Sequence, residues 1–190
     1  MQQQTDFRLL GRFIQFHCDQ RHRYTKKITD AMILRFILYF AFDNVGSHQS
    51  TKSFSDYMNS SGRKINVRTV KKYYAVDIGM YYAILGNEGA DVGRILENVI
   101  YLELIRRGYK IIVGRWDKFE LDFVAKNPNE KMYIQVTASI RDPKTLGREL
   151  RSLQKISDHN PKYILTLDDN LDSDYNGIRR TNTLRWLCEK

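Results

Sequence analysis

The sequence predicts a mixed α/β fold, an α+β arrangement in which helices pack against a mixed sheet, preceded by a small helical region. Two patterns carry this prediction. Apolar residues recur at helical spacing in two segments of the second half. The runs between and after these segments are β-branched or alternate between apolar and polar residues, as strands do. The predicted order there is helix, three strands, helix, strand and a closing helix.

The first part of the chain is helical in character. Apolar spacing predicts one helix over 28–42, a second from Ser50 or Thr51 to Met58, and the start of a third at 66–70. A helix-turn-helix module and a small helical bundle with a solvated basic edge fit this pattern equally. In the first interpretation, nucleic-acid contacts come from Arg63, Lys64, Arg68, Lys71 and Lys72.

The second half begins with a helix and a hairpin. Apolar residues at i, i+3, i+4 and i+8 from Leu96 predict a helix that Gly108 ends, and a β-branched run then predicts a strand at 109–113. Alternation across 119–125 places the odd-numbered residues on one face and the even-numbered residues, including Asp122, on the other. An Asn-Pro-Asn-Glu turn follows, so the run 132–138 is expected to pair with this strand.

The remaining elements follow from turn chemistry and periodicity. Asp142-Pro143 favours a helix start, because proline suits the first helical position. An apolar stripe at Leu146, Leu150, Leu153 and Ile156 continues that helix. The strand expected at 162–167 lies parallel to a neighbour, because a helix connects them. We expect a loop at 168–174 and a closing helix at 183–188.

Composition narrows the function classes. The 190 residues suggest one or two small domains, and the net charge of +9 favours nucleic acid, an anionic surface or an acidic partner. Two distant cysteines, Cys18 and Cys188, form neither a zinc pattern nor a disulfide framework. No apolar run reaches the ~20 residues of a membrane span, and the N-terminus lacks a signal-peptide core. These features predict a cytoplasmic protein without a membrane partner.

Polar residues on the predicted hairpin indicate a candidate metal site. Asp122 lies opposite Gln135 and Thr137 if the strand faces match, and Glu97 on the preceding helix can reach the same end of the sheet. Carboxylates gathered in this way suit Mg²⁺. Such an ion can activate water and neutralise charge on a phosphodiester.

These motifs resemble the PD-(D/E)xK nuclease-like superfamily. Residues 93–109, 120–125 (Glu-Leu-Asp-Phe-Val-Ala) and 133–137 (Tyr-Ile-Gln-Val-Thr) are similar to one branch, the C-terminal domain of unknown function of prokaryotic AAA-type ATPases. The resemblance begins at about Lys72. It implies a restriction-endonuclease-like αβββαβ core over 72–190, with residues 1–71 resembling an incomplete winged helix-turn-helix.

Departures from the superfamily pattern bear on activity. The nucleases place an acid and a lysine where this chain has Gln135 and Thr137. Loss of such a charged group typically lowers the rate about a hundredfold to a thousandfold. The resemblance therefore implies a vestigial site of Glu97, Asp122, Gln135 and Thr137, in which Glu97 and Asp122 remain as Mg²⁺ ligands. A lysine relocated from Lys118 or Lys144 would restore the missing charge.

Three hypotheses remain open. The first is a non-catalytic nuclease-like domain that binds nucleic acid or regulates an ATPase; Arg106 and Arg107 would add phosphate contacts. The second is an Mg²⁺-dependent nuclease with a relocated lysine. The third is an interaction module that docks a protein partner, an ATPase domain or a second copy. No phosphate-binding loop occurs in the chain, so no ATP site is expected in it.

Overall fold

The computed structural model describes residues 14–15, 39–45, 48–49, 71–86, 91–116, 119–169 and 173–189. The chain divides into two compact units, residues 1–90 and 91–190. The predicted nuclease-like domain begins at Lys72, whereas the second unit begins at Asp91. The segment 72–90 therefore belongs to the first unit. Within the described residues, no helix combines the length and the apolarity that crossing a bilayer requires.

The described part of the first unit contains short strands and one helix. Strand β1 (Ile14–Gln15) pairs antiparallel with β4 (Tyr74–Ala75), and β2 (His48–Gln49) pairs antiparallel with β3 (Lys71–Lys72). Helix α1 spans Ile78–Leu85, and the Asp77 side chain caps it by accepting a hydrogen bond from the backbone N–H of Gly79. A small apolar core contains Phe40, Ala41, Phe42, Val45, Tyr74 and Ala75.

Most of the predicted N-terminal helices lie outside the described residues. Of the helix expected over 28–42, residues 39–42 are described, and they are helical together with Asp43. The helices expected from Ser50 and from 66 fall entirely on undescribed segments. Lys71 and Lys72, named as candidate nucleic-acid contacts next to the predicted third helix, lie in strand β3. The structure therefore leaves the helix-turn-helix interpretation as a prediction.

The second unit is a mixed α/β fold, as predicted. Its elements are α2 (Val92–Arg106), β5 (Lys110–Trp116), β6 (Phe119–Lys126), β7 (Lys131–Thr137), α3 (Pro143–Gln154), β8 (Lys162–Thr166), β9 (Ser173–Asp174), β10 (Ile178–Asn182) and α4 (Thr183–Cys188). The six strands of this unit form one sheet in the order β5-β6-β7-β8-β10-β9. Strands β5, β6 and β7 are antiparallel neighbours, whereas β7, β8 and β10 run parallel.

Side-chain caps fix the ends of the helices. Asp91 accepts hydrogen bonds from the backbone N–H groups of Gly93 and Arg94 at the start of α2. Asp142 accepts one from Thr145 at the start of α3, where Pro143 occupies the first turn as predicted. Gly108 follows α2 with a φ of 81°, a left-handed conformation that glycine adopts without strain.

Helices α2 and α3 cover opposite faces of the sheet. The predicted stripe of α3 packs on a core that includes Leu121, Val124, Tyr133 and Ile164. Neighbouring residues of a strand point to opposite faces. Phe123 therefore points away from α3, and its ring lies 6.2 Å from that of Tyr101 on α2. We call the side covered by α3 the α3 face.

Three features of the sheet differ from the sequence-based predictions, and one of them is strand β10, which follows β8 where no further strand was predicted. Val113 pairs with Phe123 and Gly114 pairs with Leu121, so Asp122 is an extra residue, a β-bulge, in β6. The bulge turns Leu121 to the α3 face with Val124, and the prediction that all odd-numbered residues of this strand share one face is wrong. The loop predicted over 168–174 also ends early, because β9 begins at Ser173.

Candidate functional site

Asp122 and Gln135 meet at the bulge of β6, as the hairpin prediction requires. The backbone N–H of Asp122 donates a hydrogen bond of 2.7 Å to Gln135 Oε1. In return, Asp122 Oδ2 accepts a hydrogen bond of 2.8 Å from the backbone N–H of Val136. The regular pairing of β6 with β7 stops at Phe123 and Ile134. Side-chain oxygens therefore take over as acceptors where the backbone ladder ends.

Gln135 also binds helix α3. Its side chain is 6% exposed, and Nε2 donates a hydrogen bond of 3.2 Å to Glu149 Oε2. The amide oxygen thus faces a backbone donor and the amide nitrogen faces a carboxylate. Both ends of the buried amide are satisfied, which avoids the penalty of about 1–3 kcal/mol for a buried polar group left without a partner.

Glu149 is a buried acid with a cation beside it. Its Oε1 accepts hydrogen bonds from Arg148 Nε at 2.9 Å and from Arg148 Nη2 at 2.7 Å. Burial raises the pKa of Glu149; the Arg148 guanidinium opposes this shift, and the nearby Asp122 carboxylate adds to it. Hydrogen bonding to Glu149 is in turn the main cause that raises the pKa of Arg148, with a smaller contribution from Asp122. We name Asp122, Gln135, Arg148 and Glu149 the bulge cluster.

Several oxygens of the bulge cluster that could bind a hard divalent cation already have hydrogen-bond or ion-pair partners. Mg²⁺ requires several oxygen ligands in near-octahedral geometry. Gln135 Oε1 and Asp122 Oδ2 already accept backbone hydrogen bonds, and Glu149 already has a cation. Among the described residues, no three His, Cys, Asp or Glu side chains are grouped so that they could hold a metal ion.

The other predicted site residues lie apart from these contacts or on other elements. Glu97 is buried on α2, the helix that covers the other face of the sheet. Thr137 ends β7, and its Oγ1 donates a hydrogen bond to the carbonyl oxygen of Ser139. Lys118 is outside the described residues, and Lys144 is exposed in the first turn of α3. The Mg²⁺ site of Glu97 and Asp122 stays a prediction.

Sequence reasoning missed Glu149 and the role of Arg148. A signal was present, since Glu149 lies three residues after Leu146 and four before Leu153. An acid at that spacing falls on the face of the helix that the apolar stripe buries. From the sequence, a phosphate contact and a solvated helix face are equally good interpretations of Arg148, whereas the structure pairs it with Glu149.

A second buried acid lies where the parallel strands end. Asp168 accepts hydrogen bonds from Ser139 Oγ at 2.8 Å and from the backbone N–H of Ile140 at 2.9 Å. Arg141 Nε lies 3.2 Å from its carboxylate. Burial alone would raise the pKa of Asp168, but these donors and charges lower it. This acid is an ionised anchor that ties the segment after β7 to the segment after β8.

The predicted nucleic-acid contacts have different surroundings. Arg63, Lys64 and Arg68 lie outside the described residues, as does the side chain of Lys71, while Lys72 is half-buried. Arg106 is exposed and forms a two-point ion pair with Glu103. Arg107 lies 4.2 Å over the ring of Trp186 and donates hydrogen bonds to the carbonyl oxygens of Trp186 and Glu189. Arg107 therefore anchors the C-terminus.

Comparison with known proteins gives one distant relative. The chain is 27% identical over 192 aligned positions to an uncharacterized protein of Haemophilus influenzae, in an alignment that covers 85% of this chain and 47% of the relative. The chain thus spans about half the length of the curated relative it matches. No family model matches the sequence, and no solved structure matches it significantly.

Proposed function

We propose that this chain is a nuclease-like domain that does not cleave phosphodiesters and that acts by binding nucleic acid. One observation carries the proposal: the buried Gln135 amide joins the backbone of Asp122 to the carboxylate of Glu149. In the superfamily that the sequence resembles, this strand position supplies an acid to a metal ion. Here it supplies a neutral group that is already engaged within the protein.

The lost lysine strengthens this proposal. Thr137 carries no positive charge that could stabilise a phosphodiester transition state, and its hydroxyl is bonded to the carbonyl oxygen of Ser139. Arg148 is the nearby cation in the bulge cluster, but Glu149 holds it in an ion pair. A guanidinium that is already paired loses much of its capacity to stabilise charge developing elsewhere.

Binding is proposed from the charge distribution. Residues 1–90 contain 13 basic and 7 acidic residues, whereas residues 91–190 contain 18 basic and 15 acidic residues. Most of the basic excess therefore lies outside the nuclease-like unit. Lys and Arg side chains bind phosphates by releasing condensed counterions, which requires no particular base sequence. We assign the contact to the first unit, with Arg63, Lys64 and Arg68 as principal candidates.

The protein family is also a proposal. The first six elements of the second unit have the order αβββαβ, which fits the resemblance to the C-terminal domain of AAA-type ATPases. A relative about twice as long leaves room for a further domain. We propose that nucleic-acid binding by this chain serves an ATPase domain of that kind.

Cleavage is tested on supercoiled plasmid, branched DNA and RNA with Mg²⁺ or Mn²⁺. We expect the full chain to produce no more product than its Asp122→Ala variant. Metal-dependent cleavage that the substitution abolishes would overturn the proposal in favour of an active nuclease.

Binding is tested by fluorescence anisotropy with labelled DNA and RNA over a salt series. We expect affinity to fall as salt rises, and the slope to become shallower in a triple variant with alanine at Arg63, Lys64 and Arg68. The matched control places alanine at Lys110, Lys126 and Arg151, three exposed basic residues of the second unit. If the chain binds neither DNA nor RNA at low salt, the interaction-module hypothesis replaces this proposal.

A further inference from the structure

We propose that the Arg148 guanidinium is the resident cation of the bulge cluster and holds the place that a divalent metal would otherwise take. This inference rests on the proposed function, because it interprets the cluster as a nuclease-like site that no longer cleaves. It adds a specific mechanism, in which a side chain of the protein itself, rather than a missing ligand alone, excludes the metal ion.

The first support is the position of the two carboxylates. Glu149 reaches the α3 face from the helix, and Asp122 reaches it from the bulge. The Gln135 amide joins the two residues, because its Oε1 accepts a hydrogen bond from the backbone N–H of Asp122 and its Nε2 donates one to Glu149 Oε2. A carboxylate as buried as that of Glu149 needs a positive charge or hydrogen-bond donors beside it.

The second support is the geometry of Arg148. Consecutive residues of a helix point in different directions, so a salt bridge between positions 148 and 149 is not a product of helical spacing. The arginine instead turns back so that Nε and Nη2 both reach Glu149 Oε1. Its side chain is 70% exposed while that of Glu149 is 8% exposed. The guanidinium thus covers the solvent side of the buried acid.

The third support is the commitment of the remaining oxygens. Two oxygens that a metal ion could use at the cluster, Gln135 Oε1 and Asp122 Oδ2, each accept a hydrogen bond from a strand backbone. A metal ion that took these two oxygens would compete with the contacts that close the bulge and would meet the charge of Arg148. Retaining the arginine gives Glu149 a cation without disturbing those contacts.

The experiment measures Mn²⁺ binding to the full chain by isothermal titration calorimetry and by the shift in melting temperature. Wild type should show no saturable site at this cluster. The double variant Arg148→Ala with Gln135→Glu removes the resident cation and adds a carboxylate. We expect it to gain a saturable Mn²⁺ site that wild type lacks, at least about tenfold tighter than in the control double variant that retains Arg148, and to melt at a higher temperature with Mn²⁺ than without it.

The matched control pairs Gln135→Glu with Arg151→Ala, which removes an exposed arginine of the same helix and leaves Arg148 in place. Equal Mn²⁺ affinity in the two double variants would overturn the proposal, since Arg148 would then be irrelevant to metal exclusion. Saturable Mn²⁺ binding by wild type, located by its loss in Asp122→Ala, would overturn it as well.

A further variant covers the case in which Arg148→Ala fails to fold. Arg148→Gln keeps the hydrogen-bonding length of the side chain and removes its charge, and it should gain Mn²⁺ affinity in the same direction when combined with Gln135→Glu. The absence of a gain in a folded form of this variant would contradict the proposal. Wild type that binds Mn²⁺ without cleaving nucleic acid would sink this inference and leave the proposed function standing.

Discussion

Two carboxylates, Asp158 and Glu149, form hydrogen bonds with side chains of strand β7. Their surroundings shift the two carboxyl pKa values in opposite directions. Asp158, in the loop before β8, accepts hydrogen bonds from Tyr133 Oη at 2.5 Å and Lys131 Nζ at 3.1 Å, and Lys131 lies 4.5 Å from the centre of the Tyr133 ring. Burial alone would raise the pKa of Asp158, but these donors lower it to about 2. The pKa of Glu149 in the bulge cluster is instead raised.

The difference separates a stabilising contact from a costly one. Asp158 remains partly in water and gains donors on folding, so its ionised form favours the folded state. Glu149 is buried, and its ionised form is disfavoured despite Arg148. Buried acids with raised pKa values are concentrated at functional sites. We therefore keep the bulge cluster as the site of the proposed function, whereas Asp158 with Tyr133 and Lys131 forms a structural link between β7 and the loop after α3.

The core beneath both carboxylates should give the largest effect. Leu153 is fully buried against the α3 face, so Leu153→Ala should lower the free energy of unfolding by about 2–5 kcal/mol. Urea denaturation measures this change. Leu184→Ala, at a residue that is 61% exposed, should change it by less than about 0.5 kcal/mol. Equal effects would contradict the assignment of the core.

Removal of the Asp158 charge should give the next effect. Asp158→Asn weakens the hydrogen bonds from Tyr133 and Lys131, and it should lower the free energy of unfolding by about 1 kcal/mol at neutral pH, because the side chain is 37% exposed and solvent screens part of the interaction. The difference from wild type should shrink as pH falls from about 4 through the folded pKa of about 2. If the difference in the free energy of unfolding between wild type and Asp158→Asn does not change with pH, ionisation of Asp158 is not the cause of the stabilisation.

A smaller effect is expected from Tyr133→Phe. The phenyl ring keeps its place in the core, while the hydroxyl that donates to Asp158 is lost. We expect a decrease of about 0.5–1 kcal/mol in the free energy of unfolding. Combined with Asp158→Asn, the two losses should be less than additive. Strict additivity in this double-mutant cycle would show that the two side chains are not coupled.

Glu149→Gln should give the smallest effect of the four substitutions, with a dependence on pH opposite to that of Asp158→Asn. The raised pKa means that Glu149 contributes most to stability below its unfolded pKa, and that this contribution is lost as pH rises through the higher folded pKa. Wild type should therefore lose stability relative to Glu149→Gln as pH increases over that interval. Urea denaturation from pH 4 to pH 7 measures the trend. A relative gain by wild type would mean that Arg148 more than compensates for burial.

Local patterns in the sequence were sufficient for much of the second unit. The stripe after Asp142-Pro143, the hairpin turn after β6 and the end of α2 at Gly108 depend on residues close together in the chain, and the structure has each of them. The contact between Asp122 and Gln135 followed from that hairpin. These elements were predictable because short-range periodicity and turn chemistry determine them.

Features that depend on distant partners were not predicted. Strand β10 has the sequence Ile-Arg-Arg-Thr-Asn, which lacks an apolar alternation, yet its parallel pairing with β8 buries Arg180. The bulge at Asp122 requires the pairing partner in β5 to be known. The link from Arg148 through Glu149 to Gln135 depends on the packing of α3 against the sheet. In each case the determining contact is remote in sequence.

The central claim is that the bulge cluster is satisfied by its own side chains and takes no metal ion. Titration of the full chain with Mn²⁺, followed by amide NMR, tests this most directly, because a bound paramagnetic ion broadens the signals of nearby nuclei. We predict that the amides of Asp122 and Val136 broaden no earlier than that of Asp174, which lies on an exposed edge strand. Selective early loss of the Asp122 and Val136 signals would contradict the account.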